Sequence, residues 1–304
     1  MNRANGISKC KYQMSKCGGF CMITVALLLS AGCVSLDSFL FEPTPATAYL
    51  QPGDMQPEWN VRFIIPDSLI EPVALASQGD SIYGFFVRPD GLDPVRNGIT
   101  VLYNHGNAFN INRYWGRVEL LWEMGYQVFI YDYHGYGRSQ GKPSGEACFS
   151  DARAALTYCR GRGDVDTSRL LYYGWSLGTF MGTYLAADVR SPGVLILETP
   201  LASVSAITRE GTVLDMPGDF FARADFDNER RLTEVGAPVV ILYGEHDSTA
   251  QADRHALPLI DILRANGRPY QAYAADCGHC GIPETMGAQY FAVMKDSVVK
   301  LLQE

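Results

Sequence analysis

The chain has 304 residues, 47% of them hydrophobic and 19% charged, which is ample material for a core and excludes an intrinsically disordered polypeptide. A formal net charge of −8 excludes the basic surface that nucleic-acid phosphates require. The length allows one large domain or two small ones, and no internal repeat or low-complexity tract is visible.

Residues 1–19 carry Arg3, Lys9, Lys11 and Lys16 and no acid, and the apolar run FCMITVALLLSAGCV follows them. That run is shorter than the roughly 20 residues a spanning helix needs. A basic start, a short apolar stretch and small residues before a cut describe a secretory signal. Its end, LLSAGC, resembles the lipobox of bacterial lipoproteins, although Ser30 stands where Leu is commoner; Met14 offers a second possible start. The resemblance implies a signal peptide over 1–32, lipid on Cys33 as the first mature residue, and an anchored protein of the bacterial cell envelope. An uncleaved anchor and a plain secretory signal are the alternatives. Loss of the four cations would take the formal net charge from −8 to −12. Residues 33–59 include four prolines and no periodicity, so they are predicted to be a tether or an irregular surface segment.

From residue 60 to 304 the pattern is that of a folded domain. NVRFIIP (60–66) and SIYGFFVRP (81–89) are predicted strands. Short apolar runs then alternate with longer helical patterns. Strands are expected at 98–104, 127–132, 169–174, 193–198, 237–244 and 270–275. Helices are expected over about 111–124, 144–160, behind residue 176, 252–266 and 284–302. Continuous Val/Ile/Leu strands alternating with helices imply an α/β fold with a mostly parallel central sheet covered on both faces. Functional residues in such sheets gather at the carboxyl ends of the strands.

The pattern G-x-S-x-G occurs twice, as GRSQG (137–141) and GWSLG (174–178). Ser176 follows the strand RLLYYG at once and precedes residues at helical spacing, the strand–turn–helix setting of a nucleophile elbow. Ser139 lies in a glycine-rich turn several residues short of the next helix and is predicted to be structural. A serine nucleophile needs a histidine base and an orienting acid, which in this order of elements follow it in sequence. His279, in the loop DCGHCG after the last strand, is the predicted base. His255 is placed in a helix on a solvated face, and His246 at a strand tip. Asp247, ending the strand before His279, is the predicted acid; Glu198 is its rival, read instead as fixing the loop after its strand. Asp132 and His105 are assigned to turns. The oxyanion donors are expected to be the N–H groups of Leu177 and of Asn107, the latter in the loop HGNAF. Of the cysteines that remain after a cut at Cys33, Cys277 and Cys280 read as a loop disulfide or free thiols rather than a redox or zinc motif.

YNHGN, YDYHGYGRSQG, YGWSLG, GEHD and GHCG, in this order over about residues 60–302, resemble the α/β-hydrolases. The resemblance implies acyl transfer through Ser176, His279 and Asp247, with no cofactor or metal, on carboxylic esters or thioesters of small or acyl-chain substrates. Residues 199–232 stand where that family often inserts a lid. A serine peptidase of the same fold and a non-enzymatic binding lipoprotein on the same scaffold are the competing readings.

Overall fold

The computed structural model describes residues 40–49, 60–93, 96, 98–211 and 225–303. The chain divides into Met1–Ser35 and Leu36–Glu304. The signal segment, Cys33 and part of the segment predicted as a lid therefore lie outside the described residues. Among the described residues no helix is long and apolar enough to cross a membrane.

In chain order the strands are β1 (Glu42–Pro43), β2 (Ile70–Ser77), β3 (Asp80–Val87), β4 (Thr100–Asn104), β5 (Ala108–Phe109), β6 (Gln127–Tyr131), β7 (Leu170–Trp175), β8 (Leu195–Glu198), β9 (Val239–Gly244) and β10 (Tyr270–Ala275). The helices are α1 (Ile111–Glu123), α2 (Gly145–Gly161), α3 (Gly178–Tyr184), α4 (Val204–Gly211), α5 (Asn228–Leu232), α6 (Ala256–Ala265), α7 (Ile282–Met286), α8 (Ala288–Ala292) and α9 (Val298–Leu301). Eight strands form one sheet in the order β10-β9-β8-β7-β4-β6-β3-β2. β4 and β6 to β10 run parallel, while β2 and β3 are antiparallel at one edge.

Every residue of β4, β6 and β8 is buried, as an unbroken apolar strand must be when helices cover both faces. Alternate side chains divide the core. Leu102, Phe129, Tyr131 and Tyr172 pack with residues of α2 and α3 on one face. Val101, Tyr103, Ile130 and Tyr173 pack with α1 and the C-terminal helices on the other. From β4 the chain passes to β6 on one side, and then to β7 on the other. Such a reversal opens a crevice at the carboxyl ends of the two strands.

Four expectations are corrected. NVRFIIP is not a strand: the Arg62 and Ile64 N–H groups donate to the Glu119 carboxylate at 2.8 and 2.9 Å instead of to a neighbouring strand. The first strand of the sheet is IEPVALAS, whose Pro72 is tolerated because β2 is an edge. Residues 40–49 are not a tether. β1 pairs in parallel with β5, Ala46 N–H donates to Gly137 O at 2.7 Å, and the Tyr49 hydroxyl donates to Asp132 Oδ2 at 2.6 Å. The C-terminal helix is interrupted at Gly287, where φ is +50°.

His255 is the fourth. It is not on a solvated helix face but fully buried immediately ahead of α6, where Nδ1 accepts the Ala202 N–H at 3.0 Å. Burial pushes its pKa down from 6.5 to about 4. The unfolded chain takes up this proton below about pH 6.5 and the folded chain only near pH 4. Its contribution to stability is therefore full above pH 6.5 and is lost as the pH falls to 4, with a limit of about 3 kcal/mol. Denaturant unfolding at pH 7, 5.5 and 4 is expected to show a shallower loss for His255→Gln than for the wild type; equal slopes would remove His255 from this role.

Candidate active site

β7 ends at Trp175 and α3 begins at Gly178, so Ser176 and Leu177 alone turn the chain from strand to helix. Ser176 has φ of +53°, a left-handed conformation that costs a non-glycine residue about 1–3 kcal/mol. Its surroundings hold it there: its N–H donates to Glu198 O at 3.0 Å, and its carbonyl accepts from the Thr179 hydroxyl at 2.6 Å. The turn also needs close backbone approach. A Cβ on Gly178 would lie 1.9 Å from Asn104 O, and one on Gly174 2.6 Å from Gly178 O. The two glycines of GWSLG are thus sterically required.

Three separate strand ends meet at this serine. His279 Nε2 lies 2.9 Å from Ser176 Oγ, and His279 Nδ1 lies 2.7 Å from Asp247 Oδ2. Asp247 stands just beyond β9 and His279 just beyond β10. Asp247 is 5% exposed and its carboxylate cannot donate when ionised, so Nδ1 carries the proton and Nε2 offers its lone pair to the serine hydroxyl. Burial of Asp247 works against its charge, but the bond to His279 and two backbone N–H bonds outweigh it, and its pKa lies below the usual carboxylate value. Those bonds come from Thr249 and Ala250, each 2.8 Å from Oδ1. The Trp175 ring packs against His279 with centroids 5.1 Å apart and backs the imidazole.

The other candidates fall elsewhere. Ser139 Oγ donates to Asp132 O at 2.8 Å and accepts Tyr83 N–H at 2.9 Å, a turn-fixing role. Glu198 is fully buried and its partners are other groups than His279: its carboxylate pairs with Arg117 at 2.8 Å and accepts from the Tyr173 and Tyr290 hydroxyls. His246 sits on the surface beside Asp276, at 2.8 Å. The His105 ring is packed between Tyr114 and Tyr133, at 4.8 and 4.3 Å between centroids. Asp132 accepts from Ile111 N–H and the Tyr49 hydroxyl, anchoring the start of α1. Cys277 and Cys280 are free thiols.

Leu177 directly follows the serine, and the loop bearing Asn107 crosses beside it, since Gly106 packs on Trp175 and Asn104 O on Gly178. Neither the Leu177 nor the Asn107 N–H donates to another group among the described residues. The Asn107 side chain is fully engaged. Its Nδ2 donates to Leu40 O at 2.8 Å, and its Oδ1 accepts Glu42 N–H at 3.0 Å and the Tyr136 hydroxyl at 2.7 Å. Phe41 is buried against Phe226, 6.2 Å between centroids. Residues 40–49 of the segment predicted as a tether are thus a strap across this loop.

Sequence reasoning missed the strap, the backing by Trp175 and the Arg117–Glu198 pair. For Arg117 a signal existed: it lies one position from Val118 and one turn from Tyr114 and Leu121, on the buried side of α1.

Asp247→Asn is expected to lower kcat by about 10⁴, the size found when an orienting carboxylate is lost and the imidazole takes the wrong tautomer. Glu198→Gln is expected to do something different, lowering stability by about 3–5 kcal/mol because the Arg117 charge loses its partner, with much less effect on turnover. Parallel kinetics and chemical denaturation separate the two; a larger kcat loss at Glu198 would contradict the geometry.

Comparison with known proteins agrees with this fold. A family profile described as alpha/beta hydrolase fold matches residues 99–194. An uncharacterized protein, YfhR, of Salmonella typhimurium is 28% identical over 246 residues, 75% of this chain and 79% of that one. Alpha/beta hydrolase domain-containing protein 17B of Xenopus laevis is 30% identical over 204 residues, 67% of each chain. Among solved structures, the Pyrococcus furiosus esterase Pf2001 superposes with a TM-score of 0.64 at 14% identity, covering 87% of this chain and 97% of that one. The chain belongs to the α/β hydrolase family.

Proposed function

We propose that this hydrolase cleaves carboxylic esters or thioesters through an acyl-enzyme, with Ser176 as nucleophile, His279 as general base and acid, and Asp247 as the orienting carboxylate. The observation that carries the reading is the unbroken hydrogen-bonded chain Ser176–His279–Asp247, at 2.9 and 2.7 Å, on a strained turn. Ser176 Oγ attacks the carbonyl carbon while its proton passes to His279 Nε2. The negative charge on the carbonyl oxygen is held by the Leu177 and Asn107 N–H groups. His279 returns the proton to the departing alkoxide or thiolate, leaving the acyl group on Ser176. Water then attacks the acyl carbon, gives its proton to His279, and the acid leaves as Ser176 regains its hydrogen.

A fluorophosphonate probe is expected to label Ser176, with labelling abolished in Ser176→Ala and kept in Ser139→Ala; the opposite pattern would overturn the assignment. Short p-nitrophenyl esters should be cleaved and aminoacyl p-nitroanilides should not. Cleavage of the anilides at comparable rates would favour a peptidase, and neither cleavage nor labelling a binding protein.

We infer further that the chain is a lipoprotein of a bacterial envelope, carried by lipid on Cys33. The reading rests on the basic start, apolar run and LLSAGC of the sequence. Two or more acyl chains anchor stably where one does not. Cys33→Ser is therefore expected to move the protein from the membrane to the soluble fraction with esterase activity intact; a wild-type chain found wholly soluble with its N-terminus beyond Cys33 would refute the anchor.

A further inference from the structure

Ser176 has a strained neighbour at the carboxyl edge of the sheet. Trp175 on β7 is in register with Glu198 on β8, so Ser176 and Thr199 form the next pair, on strands about 4.8 Å apart. The Ser176 N–H on Glu198 O continues the ladder to this point. Both residues are left-handed, with φ of +53° and +47°. For Thr199 that conformation is doubly unfavourable, because its side chain is β-branched and Pro200 follows it. Glycine would adopt the same φ at no steric cost.

The surrounding chain is tied down. Thr199 N–H donates to Leu242 O at 2.8 Å, Leu201 N–H to Thr179 Oγ1 at 3.3 Å, and Asn228 Nδ2 to Leu201 O at 2.8 Å. His255 accepts the Ala202 N–H that follows. The Thr199 hydroxyl takes no part in this network: the residue is 1% exposed, and its Oγ1 has no hydrogen-bond partner. A buried hydroxyl without a partner calls for an explanation. Here it is carried beside the nucleophile by a strained residue, where glycine would suit the backbone better, so it answers to something outside the folded chain.

The side of the serine on which it stands says what that is. β4, whose following loop bears Asn107, flanks β7 on one side, and β8, β9 and β10 lie on the other. The Leu177 and Asn107 N–H groups serve the carbonyl oxygen of an ester on the first side. Thr199 stands on the second, between Ser176 and the strands that deliver Asp247 and His279. On that side His279 gives its proton to the leaving group, and there the water that next gives a proton to His279 must stand.

We propose that the Thr199 hydroxyl holds the water that hydrolyses the acyl-enzyme, an inference that rests on the reading of the triad above. One water hydrogen points to His279 Nε2 and the other is donated to Thr199 Oγ1, which leaves an oxygen lone pair for the acyl carbon. As the new C–O bond forms, the first hydrogen passes to His279 as a proton. The bond from the acyl carbon to Ser176 Oγ then breaks, Oγ takes that proton back, and the acid leaves with the second hydrogen on its hydroxyl. Thr199 itself neither gains nor loses a proton.

The first-order decay of the acetyl-enzyme tests this, formed in a single turnover of p-nitrophenyl acetate and followed by quenching and intact-mass measurement. Thr199→Val keeps the shape of the side chain without its hydroxyl, Thr199→Gly removes hydroxyl and strain together, and Thr199→Ser restores the hydroxyl. Decay is expected to slow by about tenfold or more in the Val and Gly variants and to stay near the wild-type rate in the Ser variant. Fluorophosphonate labelling, which needs the nucleophile and no water, is expected to keep its wild-type rate in all three. The Gly variant decides the matter if the Val variant fails to fold. Wild-type decay in the Val or Gly variant, decay in the Ser variant as slow as in those two, or labelling lost along with the hydroxyl would overturn the role of Thr199 alone. A wild-type protein that neither labels nor forms an acetyl-enzyme would overturn the triad reading and this inference with it.

Discussion

The molecule depends on one backbone constraint, the left-handed turn at Ser176 wedged between β4, β7 and β8. α3 starts so close to β4 that Gly178 touches the carbonyls of Asn104 and His105, and Ser176 N–H is held by Glu198 O. No side chain larger than hydrogen fits at Gly178. The strain persists because core packing on both faces over-determines it. The same approach places Leu177 N–H and the Asn104–Asn107 loop on one side of the serine, while β9 and β10 deliver Asp247 and His279 on the other.

Rigidity around the turn comes from polar groups serving several elements at once. Asp132 receives Ile111 N–H and the Tyr49 hydroxyl, and its carbonyl receives Ser139 Oγ, so it joins α1, the strap and the glycine-rich turn. Glu198 does the same on the other face for α1, β7 and the C-terminal helices through Arg117, Tyr173 and Tyr290. Each is a buried acid whose lone pairs are taken by donors, the condition under which buried charge is tolerated. Both stand at strand ends, as Asp247 does, which is why a reading along the sequence meets Glu198 as a rival acid and Asp132 as a turn residue. Only the partners tell them apart: Asp247 faces an imidazole, the other two face structural donors.

Much of this was legible in the chain. Alternation of short apolar runs with helical spacing reports a parallel sheet, and the strand ends of such a sheet lie along one edge. Ser176, Asp247 and His279 could therefore be placed together from their positions after RLLYYG, VVILYG and YQAYAA. What was hidden depended on partners distant in sequence. NVRFIIP looks like a strand, yet its amides are satisfied by Glu119, more than fifty residues on. IEPVALAS was masked by Pro72, whose tolerance follows only from an edge position. His255 was misplaced because the helix begins one residue after it, and the Ala202 amide it serves lies beyond another strand.

The strap has a mechanical consequence. Because β1 lies parallel to β5, tension applied to the chain ahead of Leu40 runs along β1 and is resisted in shear by Glu42 N–H and Leu40 O on the Asn107 side chain and by Thr44 N–H on Phe109 O. That load reaches the Asn107 loop before it reaches any strand of the eight-stranded sheet. Ser176, Asp247 and His279 hang from β7, β9 and β10 and lie off the load path. A pull on this terminus thus deforms the loop that crosses the serine while the hydrogen-bonded trio keeps its spacing, so the yield point of the fold lies at its amino end, beside the crevice.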